Sequence, residues 1–286
     1  MQSDENVIIV KANGVKEPFE PKKLYRSLTR SGANTEVADA ITTAIAQSLR
    51  GGETTKAIYA RAFAQLRNTA RPSAARYSLK RALFDLGPSG YAFEDFLAEL
   101  YQARGYTTQT RHTLRGTCAT HELDLCATNG TEYLAAEAKF HNSAGTKSDL
   151  KVALYVQARF EDLASSPLCE EQQALTDRYL ITNTKFTSEA ELYAGCVGLS
   201  LVSWDYPQAS NLRIMIEEAG VHPLSCLTTL STAQKRALMA DGLVLCRHLC
   251  EHTAALRALG LTNDDIERVL AEAREVCTPL PREVSL

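Results

Sequence analysis

The stretch Thr120-His121-Glu122-Leu123-Asp124-Leu125-Cys126-Ala127-Thr128, Asn129-Gly130, Thr131-Glu132-Tyr133-Leu134-Ala135-Ala136-Glu137-Ala138-Lys139 reads as two strands around a tight turn. Asn-Gly accepts the positive φ that primed hairpin turns require. A two-residue turn sets Glu122 opposite Glu137, Asp124 opposite Ala135 and Thr120 opposite Lys139, all on one face. Asp124 is then diagonal to Glu137, about 7 Å away at the backbone, where two carboxylates can converge on one cation. His121 is expected on the opposite face. Leu123, Leu125, Tyr133 and Leu134 do not all share a face, which predicts a sheet covered on both sides.

Carboxylates buried side by side are costly unless a divalent cation or a lysine neutralises them. Mg2+ suits the requirement, because it takes few protein oxygens, keeps several waters and accepts a substrate phosphate. Lys139, two residues past Glu137, can polarise a water for in-line attack and offset charge in the transition state. The competing reading is a surface hairpin of alternating charges.

The flanking sequence places this hairpin among helices. Tyr91 to Tyr101 predicts an amphipathic helix with Phe93, Phe96, Leu97 and Leu100 inward and Glu94 at the edge of that stripe. Ser148 to Leu163 predicts another, with Val152, Val156 and Phe160 inward. Its Lys151, Tyr155 and Arg159 recur every four residues, a stripe that either grips a DNA backbone or is simply an exposed face.

With Gly90-Tyr91-Ala92-Phe93-Glu94, Arg104-Gly105-Tyr106, His121-Glu122-Leu123-Asp124, Glu137-Ala138-Lys139-Phe140-His141-Asn142 and the later Tyr179-Leu180-Ile181-Thr182-Asn183, residues 88 to 205 resemble the Mrr-type branch of the PD-(D/E)xK restriction endonucleases. The resemblance implies an α/β core with a mixed sheet flanked by helices. It also implies Asp124 and Glu137 on metal, Lys139 on the attacking water, and Glu94 as an additional carboxylate. Gln157 matches a glutamine common near this helix in the family.

At the N-terminus, Val7 to Lys11 and Val15 to Phe19 flank Asn13-Gly14 and predict a second hairpin. Helices are predicted from Pro21, over Thr35 to Leu49, over Thr54 to Leu66 with Thr54-Thr55 as cap, and over Arg71 to Leu86. Lys11 and Lys23 beside a helix N-terminus suit a triphosphate, or are ordinary solvated cations. Ile9-Val10-Lys11-Ala12-Asn13-Gly14, Glu17-Pro18-Phe19, Lys22-Lys23-Leu24, Thr54-Thr55-Lys56-Ala57-Ile58 and Tyr77-Ser78-Leu79-Lys80-Arg81-Ala82 resemble the ATP-cone domain, a small α+β allosteric nucleotide module. That resemblance implies ATP or dATP held by Ile9, Lys11, Glu17, Lys23 and Thr55. The family usually has Lys-Arg-Asp-Gly where this chain has Lys11-Ala12-Asn13-Gly14.

Residues 222 to 277 predict short helices joined at Gly242 and Gly260, weakly resembling helix-hairpin-helix modules that hold DNA phosphates; packing or dimerisation is the competing role. Thr278 to Leu286 predicts a loose tail. The expected organisation is therefore multidomain. It comprises an ATP-cone over 1–88, an endonuclease-like domain over 89–215 and an all-α segment over 216–286, the first two divided at Gly87-Pro88-Ser89-Gly90.

Composition fits that division. The 286 residues are 45% hydrophobic and 23% charged, which excludes a disordered polyampholyte. The net charge of −3 divides unevenly: residues 1–88 carry 14 Lys+Arg against 8 Asp+Glu, and residues 89–215 carry 10 against 16. A basic first segment suits a phosphate-bearing ligand, and an acidic middle suits metal-binding carboxylates. No apolar run spans a bilayer, and a cytoplasmic protein without membrane partners is expected. The eight cysteines contain no CxxC pair and are expected to be buried reduced thiols. The expected function is a Mg2+-dependent DNA endonuclease tuned by adenine nucleotide, acting as a homo-oligomer. The alternatives are a nucleotide-responsive DNA-binding regulator without catalysis, and a structure-specific or RNA nuclease.

Overall fold

The computed structural model describes residues 7–11, 14–87, 89–164 and 175–280. Ala12 and Asn13 of the first predicted turn, Pro88 of the predicted linker, Cys169, and the predicted tail beyond residue 280 lie outside the described residues. Two compact units emerge, one formed by Met1–Arg81 together with Leu224–Leu286, the other by Ala82–Pro223.

In the first unit, β1 (Ile8–Val10) pairs antiparallel with β2 (Lys16–Pro18), placing Ile9 opposite Glu17. The Val10 N–H donates to the Glu53 carbonyl at 3.0 Å, and the Ile8 carbonyl accepts from Gly52 at 2.8 Å. Helix α1 (Pro21–Arg30) begins with proline in its first turn, where a missing N–H costs nothing. Asn34 caps α2 (Thr35–Ser48), and Thr54 caps α3 (Thr55–Thr69) by accepting from the Ala57 N–H. Leu28, Ile41, Ile45, Ala62 and Leu66 fill the space between them.

The single helix expected over Arg71 to Leu86 is two, α4 (Arg71–Tyr77) and α5 (Leu79–Phe84). The break is at Ser78, whose hydroxyl donates to the Ala75 carbonyl at 2.8 Å and to the Cys226 carbonyl at 3.4 Å. The second partner comes from the C-terminal segment, a tertiary contact that local sequence does not encode.

The second unit is built on a five-stranded mixed sheet. Its elements are α6 (Tyr91–Ala103), β3 (Thr107–Arg115), β4 (Thr120–Thr128), β5 (Tyr133–Lys139), β6 (Lys147–Ser148), α7 (Leu150–Asp162), β7 (Asp177–Thr182), β8 (Lys185–Phe186), α8 (Ser188–Val197), β9 (Ser200–Val202) and α9 (Leu212–Ala219). The strand order is β3-β4-β5-β7-β9. The pairs β3/β4 and β4/β5 are antiparallel, and β5/β7 and β7/β9 are parallel. Leu123, Leu125, Tyr133 and Leu134 are all buried, as expected of a sheet covered on both faces.

The hairpin register differs from the expected one. Leu125 opposes Ala136 and Thr128 opposes Tyr133, so the loop is Asn129–Glu132, four residues long. Asn129 causes this: its Oδ1 accepts from the N–H groups of Thr131 and Glu132 at 3.0 and 2.8 Å, closing an Asx turn in place of a primed one. The numbers of opposed residues therefore rise by two in sum. Continued one step past its last pair, Leu125 with Ala136, this register would set Asp124 level with Glu137.

The C-terminal segment adds α10 (Thr232–Ala240), α11 (Thr253–Ala258) and α12 (Asn263–Cys277), with 3-10 turns at Leu224–Cys226 and Cys246–Cys250. It shares the first unit with the N-terminal module. Buried Arg76 of α4 donates to the carbonyls of Glu275, Val276 and Thr278, neutralising the free carbonyls at the end of α12. Glu272 is buried yet satisfied, accepting from the amides and hydroxyls of Thr228 and Thr229. Seven cysteines are free among the described residues, and Cys126, Cys226 and Cys246 are buried as expected, whereas Cys118, Cys196 and Cys250 are exposed. No described helix is long and apolar enough to cross a membrane.

Candidate active site

Asp124 lies within electrostatic reach of two further carboxylates, each from a different element. Glu94 comes from the first turn of α6, Asp124 from β4 and Glu137 from β5. The Asp124 charge raises the pKa of both Glu94 and Glu137, second in each case only to burial. Glu137 is thereby pushed up to about 7. Asp124 is also raised, chiefly by burial, although its Oδ2 accepts from the Ala138 N–H at 2.7 Å. That bond explains why the β4/β5 ladder stops at Leu125 and Ala136: beyond it, the Asp124 side chain takes the place of a backbone acceptor.

Two arginines hold the cluster. Arg159 of α7 donates to Glu137 Oε2 at 2.5 Å and to the carbonyl of Glu122. Arg111 of β3 donates to Glu94 at 3.2 Å and to Asp95 at 2.8 Å. The stripe Lys151, Tyr155, Arg159 is thus split: Lys151 and Tyr155 are exposed, while Arg159 turns inward to the carboxylates. The uncompensated charge on Glu137 supplies the reason.

Arg111 is the described non-glycine residue with positive φ, at 54°. Thr110 pairs with Leu125 and His112 with Leu123, so Arg111 falls opposite Asp124 in the strand register. A side chain in the left-handed region costs on the order of 1–2 kcal/mol, and such strain concentrates at functional sites. The facing strand β4 also departs from strict alternation. Leu123 and Cys126 share the core that includes Val156 and Phe160 of α7, although they are three residues apart, so strict alternation fails between them. His121 does not face away as expected. Its Nε2 meets Asp162 of α7 at 2.7 Å, on the side of the sheet from which Arg159 approaches Glu137.

Lys139 ends β5 and lines, with Glu137, Lys151, Val152, Tyr155 and Val156, a cleft of about 210 Å3. The strand end carrying it is fixed from β7. Thr182 donates to the Lys139 carbonyl at 2.7 Å, and buried Asn183 both accepts from the His141 N–H and donates to its carbonyl, each at 2.9 Å. Gln157 is buried and donates to Glu161 rather than entering this cleft.

Among the described residues no three His, Cys, Asp or Glu side chains stand close enough to hold a metal ion unaided. The donor chemistry nevertheless fits Mg2+, which binds through one or two carboxylates and completes its shell with water and phosphate oxygen. Asp124 and Glu137 are hard oxygen donors whose mutual repulsion a divalent charge would relieve. Glu94, engaged by Arg111, lies within electrostatic reach of Asp124.

In the first unit, a cleft of about 190 Å3 is lined by Ile9, Glu17, Lys23 and Thr55, four of the five residues expected to hold nucleotide. Phe19, Tyr59 and Tyr77 complete its apolar wall, with Tyr59 and Tyr77 stacked at 5.0 Å. Lys11, the fifth, is engaged with Glu17 at 2.6 Å, which holds the Glu17 carboxyl below its usual range. Lys23 pairs with Glu20 at 2.7 Å.

Sequence reading passed over Arg111, gave Asn183 no role and missed the inward turn of Arg159. Arg111 carries no glycine or asparagine signal for its left-handed backbone, and the partners of the other two lie far off in sequence.

Comparison with known proteins adds relatives. The family described as AF1548-like, C-terminal matches residues 222–277. An uncharacterized protein of Archaeoglobus fulgidus is 34% identical over 181 residues, which is 63% of this chain and 99% of the relative. A crystal structure of a protein of unknown function, AF1548, is 33% identical with a TM-score of 0.51, covering 66% of this chain and 98% of that one.

Proposed function

The chain belongs to the AF1548-like family, and from the geometry of its carboxylate cluster we propose that it is a Mg2+-dependent endodeoxyribonuclease regulated by adenine nucleotide. One observation carries the reading: Asp124 and Glu137 stand half-buried and mutually repelling beside an open cleft that also presents Lys139. A fold gains nothing from such a pair, because burial of like charges opposes stability.

In this account Asp124 and Glu137 hold the ion and Glu94 adds negative charge from α6. Mg2+, when bound, supplies a Lewis acid for the phosphoryl oxygen and lowers the pKa of a coordinated water. Lys139 orients the attacking water and offsets charge gathering on the phosphoryl group. Arg111 and Arg159 fix the rotamers of Glu94 and Glu137, and Thr182 with Asn183 fixes the strand end that carries Lys139. The cleft of the first unit suits adenine against Phe19, Tyr59 and Tyr77, with Lys23 and the N-terminus of α3 toward the phosphates. Supercoiled plasmid, linear duplex and single-stranded DNA incubated in Mg2+ or EDTA, with and without ATP, test this. Cleavage that requires Mg2+ and changes with ATP is expected, and intact substrates in every condition favour a nucleotide-responsive DNA-binding regulator.

A further inference from the structure

Two tyrosines stand out against the habit of aromatic residues to be buried. Tyr155 is 61% exposed and Tyr91 60% exposed. Each has an arginine at its ring, Arg159 at 5.5 Å from the Tyr155 centroid and Arg111 at 5.6 Å from that of Tyr91. Each arginine in turn pairs with a site carboxylate, Glu137 in one case and Glu94 in the other. The same three-tier order of exposed ring, guanidinium and carboxylate thus occurs twice around one cluster. Tyr155 also lines the cleft with Glu137 and Lys139, beside exposed Lys151.

Charge argues against a ligand held mainly through its phosphates. Residues 89–215 carry 10 Lys+Arg against 16 Asp+Glu, whereas proteins that coat duplex DNA do so with an excess of cations. Aromatic faces offer another source of affinity, since a nucleobase stacks on an exposed ring without needing net positive charge. In a regular duplex both faces of every base are already stacked, so only unpaired nucleotides can use these rings.

We propose that the site binds DNA containing unpaired nucleotides, with bases stacked on Tyr155 and Tyr91 on either side of the phosphate presented to the carboxylates. The substrate class is then single-stranded or branched DNA in preference to continuous duplex. Cleavage of the bound strand rests on the nuclease reading; binding itself does not.

The test is fluorescence anisotropy in EDTA with the full chain and labelled single-stranded, splayed-fork and blunt-duplex DNA of equal length, with 2-aminopurine in the unpaired strand reporting stacking. Wild-type protein is expected to favour the single-stranded and forked DNA. Tyr155→Ala is expected to weaken that binding by about fivefold or more, the scale of one stacked base. Tyr155→Phe retains it, duplex binding stays unchanged, and both variants keep the wild-type far-UV circular dichroism. Equal affinity for fork and duplex, or an unchanged preference in Tyr155→Ala, overturns the proposal, and tighter binding of RNA of the same sequence overturns its assignment to DNA. The preference in EDTA without cleavage of any substrate in Mg2+ leaves this proposal standing and removes the nuclease reading. Equal cleavage of fork and duplex with no binding preference removes this proposal alone.

Discussion

Arg159 donates to Glu137 at 2.5 Å, with only 12% of the arginine side chain and 17% of the glutamate side chain open to solvent. The pair joins α7 to β5, and the guanidinium opposes burial and the Asp124 charge, which together push the Glu137 carboxyl up to about 7. Removing one member of a covered ion pair strands the other.

Arg159→Met is therefore expected to cost about 3 kcal/mol, the lower end for a buried pair. Glu137→Gln in the Arg159→Met background recovers part of that loss, because no unpaired charge remains. Urea denaturation of wild type, single and double variants checks this. A double variant no more stable than Arg159→Met contradicts it.

Arg111 allows a test of strain. Both Arg111→Gly and Arg111→Ala lose the contacts to Glu94 and Asp95, but only alanine keeps a side chain in the left-handed region. The glycine variant is expected to be more stable than the alanine variant by roughly 1 kcal/mol. Equal unfolding midpoints place the strain elsewhere.

These two arginines also mark where sequence stops being informative. The hairpin, the helix carrying Glu94 and the cap at Thr54 follow from local patterns of turn residues and periodicity. The loop length does not, because Asn-Gly serves an Asx turn as readily as a primed one and the choice depends on the Asn129 side chain. The break at Ser78 and the docking of Arg76 on the end of α12 depend on partners about 150 to 200 positions away. The sharing of one unit by residues 1–81 and 224–286 has the same origin.

Asp162 contributes to the acid response of the second unit. Its carboxylate accepts from the Cys118 and Ala119 amides at 2.7 and 3.0 Å and meets His121, whose contact is the largest cause of a pKa held far below the usual aspartate range. A depressed folded-state pKa contributes stability above the unfolded value and loses it as pH falls through the folded value. Asp162→Ala is thus expected to be less stable than wild type near neutral pH, with the gap narrowing as acid is added below pH 3.8. Gly116→Ala should disturb the same site, since a Cβ there would collide with the Asp162 carboxylate. Melting curves across that range, parallel for wild type and Asp162→Ala, contradict the assignment.

In the first unit, adenine nucleotide is expected to raise the melting temperature by binding the folded state, and Lys23→Ala with Lys11→Ala to abolish the shift. The Lys11 change also frees Glu17 from its 2.6 Å partner, leaving an anion where phosphate must approach. Unaltered melting and no calorimetric heat with saturating ATP, dATP and ADP remove nucleotide from the account.

The measurement that bears most directly on the central claim is cleavage of supercoiled plasmid in Mg2+ by wild type, Asp124→Ala and Lys139→Ala. Unchanged circular dichroism serves as the control for folding. Nicked or linear product is expected from wild type, with losses of two or more orders of magnitude in both variants, as when a metal ligand or a transition-state donor is removed. Equal product from all three proteins contradicts the nuclease assignment.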